Sequence, residues 1–143
     1  MFASEKALSQ GFDEAVAGGD TPFNPRFVAH EFDYREGRTD VIASDHYGDL
    51  FAFEMKLEKW RDALHQAYRN TSFAHFSYVV LPCKAADKAM QWRHEFVRRG
   101  VGLCSVNDEG VKVEIEAKRL KPLRPWLTQS AINFIADEGV PSW

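Results

Sequence analysis

The chemically informative stretch runs from Arg38 to Lys56. Asp40 opens a predicted strand at 39–44, and Glu54 lies fourteen positions later, near the end of the next predicted strand at 50–57. Lys56 follows two residues on. The period of two along a strand puts Glu54 and Lys56 on one face. The short turn His46-Tyr47-Gly48-Asp49 between the strands can bring Asp40 opposite Glu54. Two carboxylates and an ammonium would then meet among strongly apolar neighbours, Phe51, Phe53 and Met55. Buried like charges repel, so one acid is protonated unless a cation intervenes. Hard oxygen ligands of this kind suit Mg²⁺ or Mn²⁺, which keep waters and take substrate phosphate. A lysine beside such an ion can orient a water and help deprotonate it. The chemistry that follows is in-line attack on a phosphodiester.

The elements that must position these residues are legible from pattern. A weak helix over 4–16 carries apolar Ala7, Leu8, Phe12 and Ala15, and Gly18-Gly19 stops it. The two prolines at 22 and 25 mark a loop. Strands are expected at 27–34, 39–44 and 50–57, with Glu36-Gly37 closing the first; turns this short make them an antiparallel meander. Trp60, Ala63, Leu64, Ala67 and Tyr68 then follow helical spacing. A strand at 77–81, a helix at 85–99 closed by Gly100, strands at 101–106 and 111–117, and a last helix at 127–136 complete the order α-β-β-β-α-β-α-β-β-α. A meander followed by strand–helix–strand crossovers predicts an α/β fold, one mixed sheet flanked by helices.

The run Arg38-Thr39-Asp40, Phe53-Glu54-Met55-Lys56 and Gln66-Ala67-Tyr68 resembles the PD-(D/E)XK nuclease superfamily, which includes Holliday-junction resolvases and many restriction enzymes. The predicted element order from residue 27 to 106 resembles the core of that superfamily, and the likeness covers roughly two thirds of the chain. The resemblance implies a restriction-endonuclease-like fold and an endonuclease that leaves 5′-phosphates. It implies that Asp40 and Glu54 hold Mg²⁺ or Mn²⁺, that Met55 supplies a backbone carbonyl, and that Lys56 positions the water. Gln66 matches a helical glutamine found near the site in several branches, and by periodicity it flanks the apolar helix face with Lys59 and Asn70. Other branches add a glutamate from the first helix; Glu5 and Glu14 are the candidates, Glu5 preferred. Thr39 stands where the superfamily name has proline, a variable position.

Each residue also has a plain structural reading. Asp40 and Lys56 can form a cross-strand salt bridge with Glu54 solvated. Gln66 can be an exposed helical glutamine, and Arg38 a solvated turn residue that does not touch substrate phosphate. Lys118, Arg119, Lys121 and Arg124 put four cations beside Trp126, which suits a phosphate-tracking patch with an aromatic platform or a solvated loop.

The 143 residues suit one domain. Eighteen basic and 21 acidic side chains give a net charge of −3, which disfavours a small DNA-coating protein. The charge is uneven: residues 1–83 carry 8 basic and 13 acidic groups, residues 84–124 carry 10 and 6. No apolar run approaches a membrane span and no signal pattern opens the chain, so a cytoplasmic location is expected. Cys83 and Cys104 read as buried free thiols. The five histidines form no zinc pair, and the signatures of P-loop, dinucleotide-binding and α/β-hydrolase enzymes are absent. The expected partner is nucleic acid, DNA foremost, engaged by a homodimer or with a partner protein. The rival reading is a catalytically inert subunit that keeps the nuclease fold to bind nucleic acid or protein. A glycosidase carboxylate pair is disfavoured, because a lysine on the same strand face fits phosphate better than sugar.

Overall fold

Ser4 caps the first helix, α1 (Glu5–Gly18): its side chain accepts the Ala7 N–H at 3.1 Å. Gly19 ends it in the left-handed region at φ 77°, which a glycine enters without a Cβ clash. The computed structural model describes residues 2–19, 21–35 and 37–141; Glu36, expected in the first turn, lies outside them.

Seven strands form one sheet in the order β6-β5-β4-β3-β2-β1-β7. β1 (Phe27–Tyr34), β2 (Gly37–Ser44) and β3 (Leu50–Met55) are the expected antiparallel meander. α2 (Trp60–Asn70) crosses to β4 (Phe76–Pro82), which pairs parallel to β3. α3 (Cys83–Met90) and α4 (Arg93–Arg99) cross to β5 (Gly102–Asn107), parallel to β4. β6 (Gly110–Ile115) returns antiparallel, α5 (Pro125–Glu138) follows, and β7 (Val140–Pro141) closes the far edge against β1. The chain is thus an α/β fold with one mixed seven-stranded sheet and five helices.

Some elements and boundaries depart from the sequence pattern. The expected helix over 85–99 is two helices, because Trp92 leaves helical geometry (φ −117°, ψ 28°) and stacks on Trp60. β2 begins at Gly37 rather than 39, and β3 stops at Met55 rather than 57. The two-residue β7 carries no periodic signal and was not expected.

The sheet buries its faces differently. α1 lays Leu8 and Phe12 against Val41, Phe53 and Met55 on one face. On the other, α2, α3 and α4 pack Ala63, Leu64, Ala86 and Phe96 on Val79, Leu81 and Leu103. α5 brings Ala131 and Ile135 to Ile42, Ala52 and Phe73 on that same side. Small alanines on α2 and α3 allow these helices to lie close to the sheet.

Candidate metal centre

The site is built where the β2–β3 ladder ends. Its last pair is Val41↔Phe53, so Asp40 and Glu54 lie one step beyond the regular bonds. The β1–β2 pairing is interrupted at the same level. His30 pairs with Val41 and Phe32 with Thr39, while Glu31 between them holds φ 56°. This left-handed residue breaks the alternation of β1: Ala29 and Phe32 both enter the cluster on the α5 side. Asp40 stands opposite the interruption and turns its carboxylate onto β3, where Oδ2 accepts the Met55 N–H at 2.8 Å. It caps a backbone donor that the ending ladder leaves over.

Glu54 is 1 % exposed, among the most buried side chains of the protein. Asn70 at the end of α2 donates from Nδ2 to Glu54 Oε1 at 2.8 Å. The amide is held in place from behind. Thr39 Oγ1 and Tyr34 Oη both donate to Asn70 Oδ1, at 2.8 and 2.7 Å. Asp40 is the other carboxyl within hydrogen-bonding reach of Glu54. Burial pushes the Glu54 carboxyl up to about 8; the Asp40 charge adds to this, and the Asn70 hydrogen bond opposes it.

Lys56 follows the last residue of β3, so strand alternation no longer fixes its side chain. Its Nζ lies 4.0 Å from Glu5 Oε1, in the first turn of α1. Lys56 is close enough to favour the charged form of Glu54. Asp40, Glu54, Lys56 and Glu5 therefore gather at one end of β3, with Glu5 brought by the docking of Leu8 and Phe12.

Gln66 is half-buried on α2, one turn before Asn70; the side chain that reaches Glu54 is Asn70. By helical spacing Asn70 falls at the border of the apolar face of α2. Its one distinguishing signal was a polar residue at i+4 from Gln66. Met55 presents its N–H to Asp40. Among the basic candidates, Arg38 pairs with Asp33 at 2.7 Å and Glu31 at 3.7 Å. Arg119 forms a two-pronged bond to Asp49, at 2.7 and 3.3 Å, in the turn before β3 and so at the opposite end of that strand from Glu54. Lys118 and Lys121 are exposed, and Arg124 is half-buried at the start of α5. Cys104 is buried and Cys83 partly so.

The donor set can be tested against a divalent ion. Among the described residues no cluster of three or more His, Cys, Asp and Glu side chains has metal-site spacing. The site offers two carboxylates in mutual contact, one of them driven toward neutrality by burial. Mg²⁺ characteristically binds through one or two carboxylates and keeps its waters, so the set fits this class of ion and does not resemble a closed protein cage. No helix among the described residues is long and apolar enough to cross a membrane.

No family model matches the chain, and no curated protein matches it. Solved structures do. The SPO1766 protein of Silicibacter pomeroyi, of unknown function, is similar over 91% of this chain and 82% of its own, at TM-score 0.63 and 16% identity. SfsA of Pyrococcus furiosus, solved in complex with Ca²⁺, is similar over 79% of this chain and 64% of its own, at TM-score 0.50 and 12% identity. A repair endonuclease from Pyrococcus abyssi is similar over 57% of this chain and 38% of its own, at TM-score 0.41 and 18% identity. The chain thus shares its fold with the first two of these proteins, at sequence identities that establish fold alone.

Proposed function

We propose that this protein is a Mg²⁺- or Mn²⁺-dependent nuclease that hydrolyses phosphodiester bonds, with DNA as the substrate. The observation that carries the reading is the contact between Asp40 and buried Glu54 beyond the end of the β2–β3 ladder, beside Lys56 and Glu5. A protein with this fold, P. furiosus SfsA, was solved with Ca²⁺, another oxygen-seeking cation. Asp40 and Glu54 would hold the ion, with the Met55 carbonyl as a third oxygen. When bound, the ion supplies charge stabilisation to the phosphate oxygens.

The chain's own groups do the rest. Asn70 holds Glu54 in one orientation, and the Thr39 and Tyr34 hydroxyls lock the amide that does so. Lys56 positions the attacking water and shields the negative charge gathering at phosphate. Glu5, 4.0 Å away, steers the Lys56 ammonium. The product carries a 5′-phosphate.

The test is a panel of labelled single-stranded, duplex and branched DNA and RNA, incubated with the protein and Mn²⁺. Cleavage by the wild type is expected, with Lys56→Ala reducing it at least about a hundredfold while metal binding persists. Cleavage by Lys56→Ala at the wild-type rate would refute the mechanism.

A second reading has its own observation. Asp40 already accepts a hydrogen bond from Met55 and Glu54 one from Asn70, so the pair can be a satisfied structural element of an inert subunit. Calorimetric titration with Mn²⁺ separates the two. Binding that Asp40→Ala abolishes supports the metal centre; no binding by the wild type supports the inert subunit.

A further inference from the structure

Four rings stand on the sheet face that α1 shares. They form two registered pairs on the parallel strands β3 and β4, Phe51↔Phe76 and Phe53↔Tyr78, and strand alternation sends all four to one side. The pairs stack at 4.8 and 5.8 Å between centroids. Gly102 of β5 lies beside Tyr78, and a Cβ there would run into the ring, so a glycine makes room for it. The loop before β1 folds over these rings. Its prolines at 22 and 25 restrict it, Thr21 Oγ1 accepts the Phe23 N–H at 3.1 Å, and the Phe23 ring meets Phe53 and Tyr78 at steep angles, 5.2 and 5.0 Å away. Between the rings, this loop and the β2–β3 turn lies a cavity of about 530 Å³. It sits at the opposite end of β3 from Glu54 and Lys56.

The charge of its wall has one sign. Asp45 and Glu116 line the cavity, and among the described residues no lysine or arginine does. Besides the tyrosines, the exposed His46 is the remaining ionisable group there. Neither carboxylate has an ion pair among the described residues. Asp45 Oδ1 accepts the Tyr47 and Asp49 N–H groups, both at 2.9 Å, which fixes the turn. Glu116 Oε2 accepts the Tyr78 hydroxyl at 3.3 Å and keeps lone pairs for a further donor. The arginines that flank these segments in the chain are engaged elsewhere: Arg26 lies over the Phe27 ring at 5.1 Å, and Arg119 is bonded to Asp49. The Arg119 charge still reaches Asp45, so Glu116 is the freer of the two acids.

We propose that this cavity binds a small organic cation, an ammonium carried on an aromatic body, with the body among the rings and the ammonium at Glu116. Its volume falls in the range of small-molecule sites, about 300–1,000 Å³, and its lining has their character, mostly apolar with a few polar groups that fix orientation. The carboxylates set the sign of the ligand: they repel a phosphate or a carboxylate and attract a cation. The aromatic walls set its kind. A bare metal ion needs several oxygen ligands, whereas an ammonium on an apolar body gains from rings and acid together. The site stands apart from the candidate metal centre and does not depend on the nuclease reading.

The test compares probes that share one body and differ in charge: phenethylammonium, 2-phenylethanol and phenylacetate. Each is titrated into isotope-labelled protein near neutral pH and followed by NMR amide shifts. The expected result is saturable binding of the ammonium, with shifts at Phe23, Phe51 and Phe76, weaker binding of the alcohol and none of the acid. Glu116→Gln, on an exposed side chain, keeps an acceptor for Tyr78. It weakens the ammonium roughly two- to fivefold, the worth of a solvent-exposed charge pair, and leaves the alcohol unchanged. An alcohol that binds as tightly as the ammonium makes the cavity merely apolar and overturns the proposal. An ammonium that does not saturate, or that binds Glu116→Gln and wild type alike, overturns it too. Shifts confined to Asp40, Glu54 and Lys56 would place the cation at the metal centre and overturn it as well.

Discussion

Glu54 must be neutralised by something, and the choice is between a proton and a cation. In the metal-free protein it is a proton, since the carboxyl is pushed up to about 8 from an ordinary 4.5. Between these values the folded chain holds one proton more than the unfolded chain. Stability therefore falls as pH rises through that window, by at most about 1.4 kcal/mol per pH unit. Glu54→Gln removes the ionisation and keeps the Asn70 contact. Urea denaturation in EDTA should show wild-type stability dropping between about pH 6 and 8 and the Gln variant nearly flat. Equal slopes would mean that Glu54 is not buried against Asp40. At the residue scale, the placement of Asp40, Glu54 and Lys56 at one end of β3 was legible in their spacing. Asn70 was not legible as the partner of Glu54, because hydrogen bonding between a helix end and a strand depends on how the helix crosses the sheet.

At the scale of elements, α1 does the positioning that the meander cannot. Its Leu8 and Phe12 are buried against β2 and β3, and this seats Glu5 beside Lys56. Phe12→Ala should cost about 3–5 kcal/mol in denaturant unfolding, the range for a buried phenylalanine. A loss below about 1 kcal/mol would show that α1 is not docked as described. A second tie joins α1 to β1: Asp13 accepts from His30 Nε2 at 2.8 Å. That hydrogen bond raises the His30 pKa above 6.5. The stabilisation is complete below about pH 6.5 and is lost as pH rises through the folded value. Both side chains are over a third exposed, so it amounts to a few tenths of a kcal/mol. NMR titration of the His30 ring should give a midpoint that moves down in Asp13→Asn. The division of the expected 85–99 helix belongs to this scale as well. No glycine or proline marks residues 91 and 92; the break follows from the Trp92–Trp60 stack and from Arg61 lying 4.7 Å over Trp92.

Across the whole molecule, the parallel crossovers β3-α2-β4 and β4-α3-α4-β5 send their strands' carboxyl ends to one edge. Open α/β sheets bind ligands outside those ends, and Glu54 and Lys56 lie there. The far edge is short and ends in Pro141, which has no N–H to offer another strand. Because an ion bound by two elements of the fold has no equivalent in the unfolded chain, its binding energy adds to global stability. Mn²⁺ at a hundred times its dissociation constant should stabilise the wild type by about 2.7 kcal/mol. A thermal melt reads this as a higher midpoint, absent in Asp40→Ala. An identical rise in that variant would place the ion elsewhere.

The sequence by itself determined the meander, the crossovers and the carriage of Asp40, Glu54 and Lys56 on consecutive strands. These follow from hydrophobic period, turn residues and local spacing, all of which are written along the chain. The tertiary structure decided what these side chains touch. The left-handed Glu31 interrupts the ladder opposite Asp40, α2 delivers Asn70 to Glu54, and α1 delivers Glu5 to Lys56. It also decided which cations carry a counter-ion, since Arg119 meets an aspartate seventy residues away. Such contacts depend on helix docking and strand register over long separations, which no local pattern encodes.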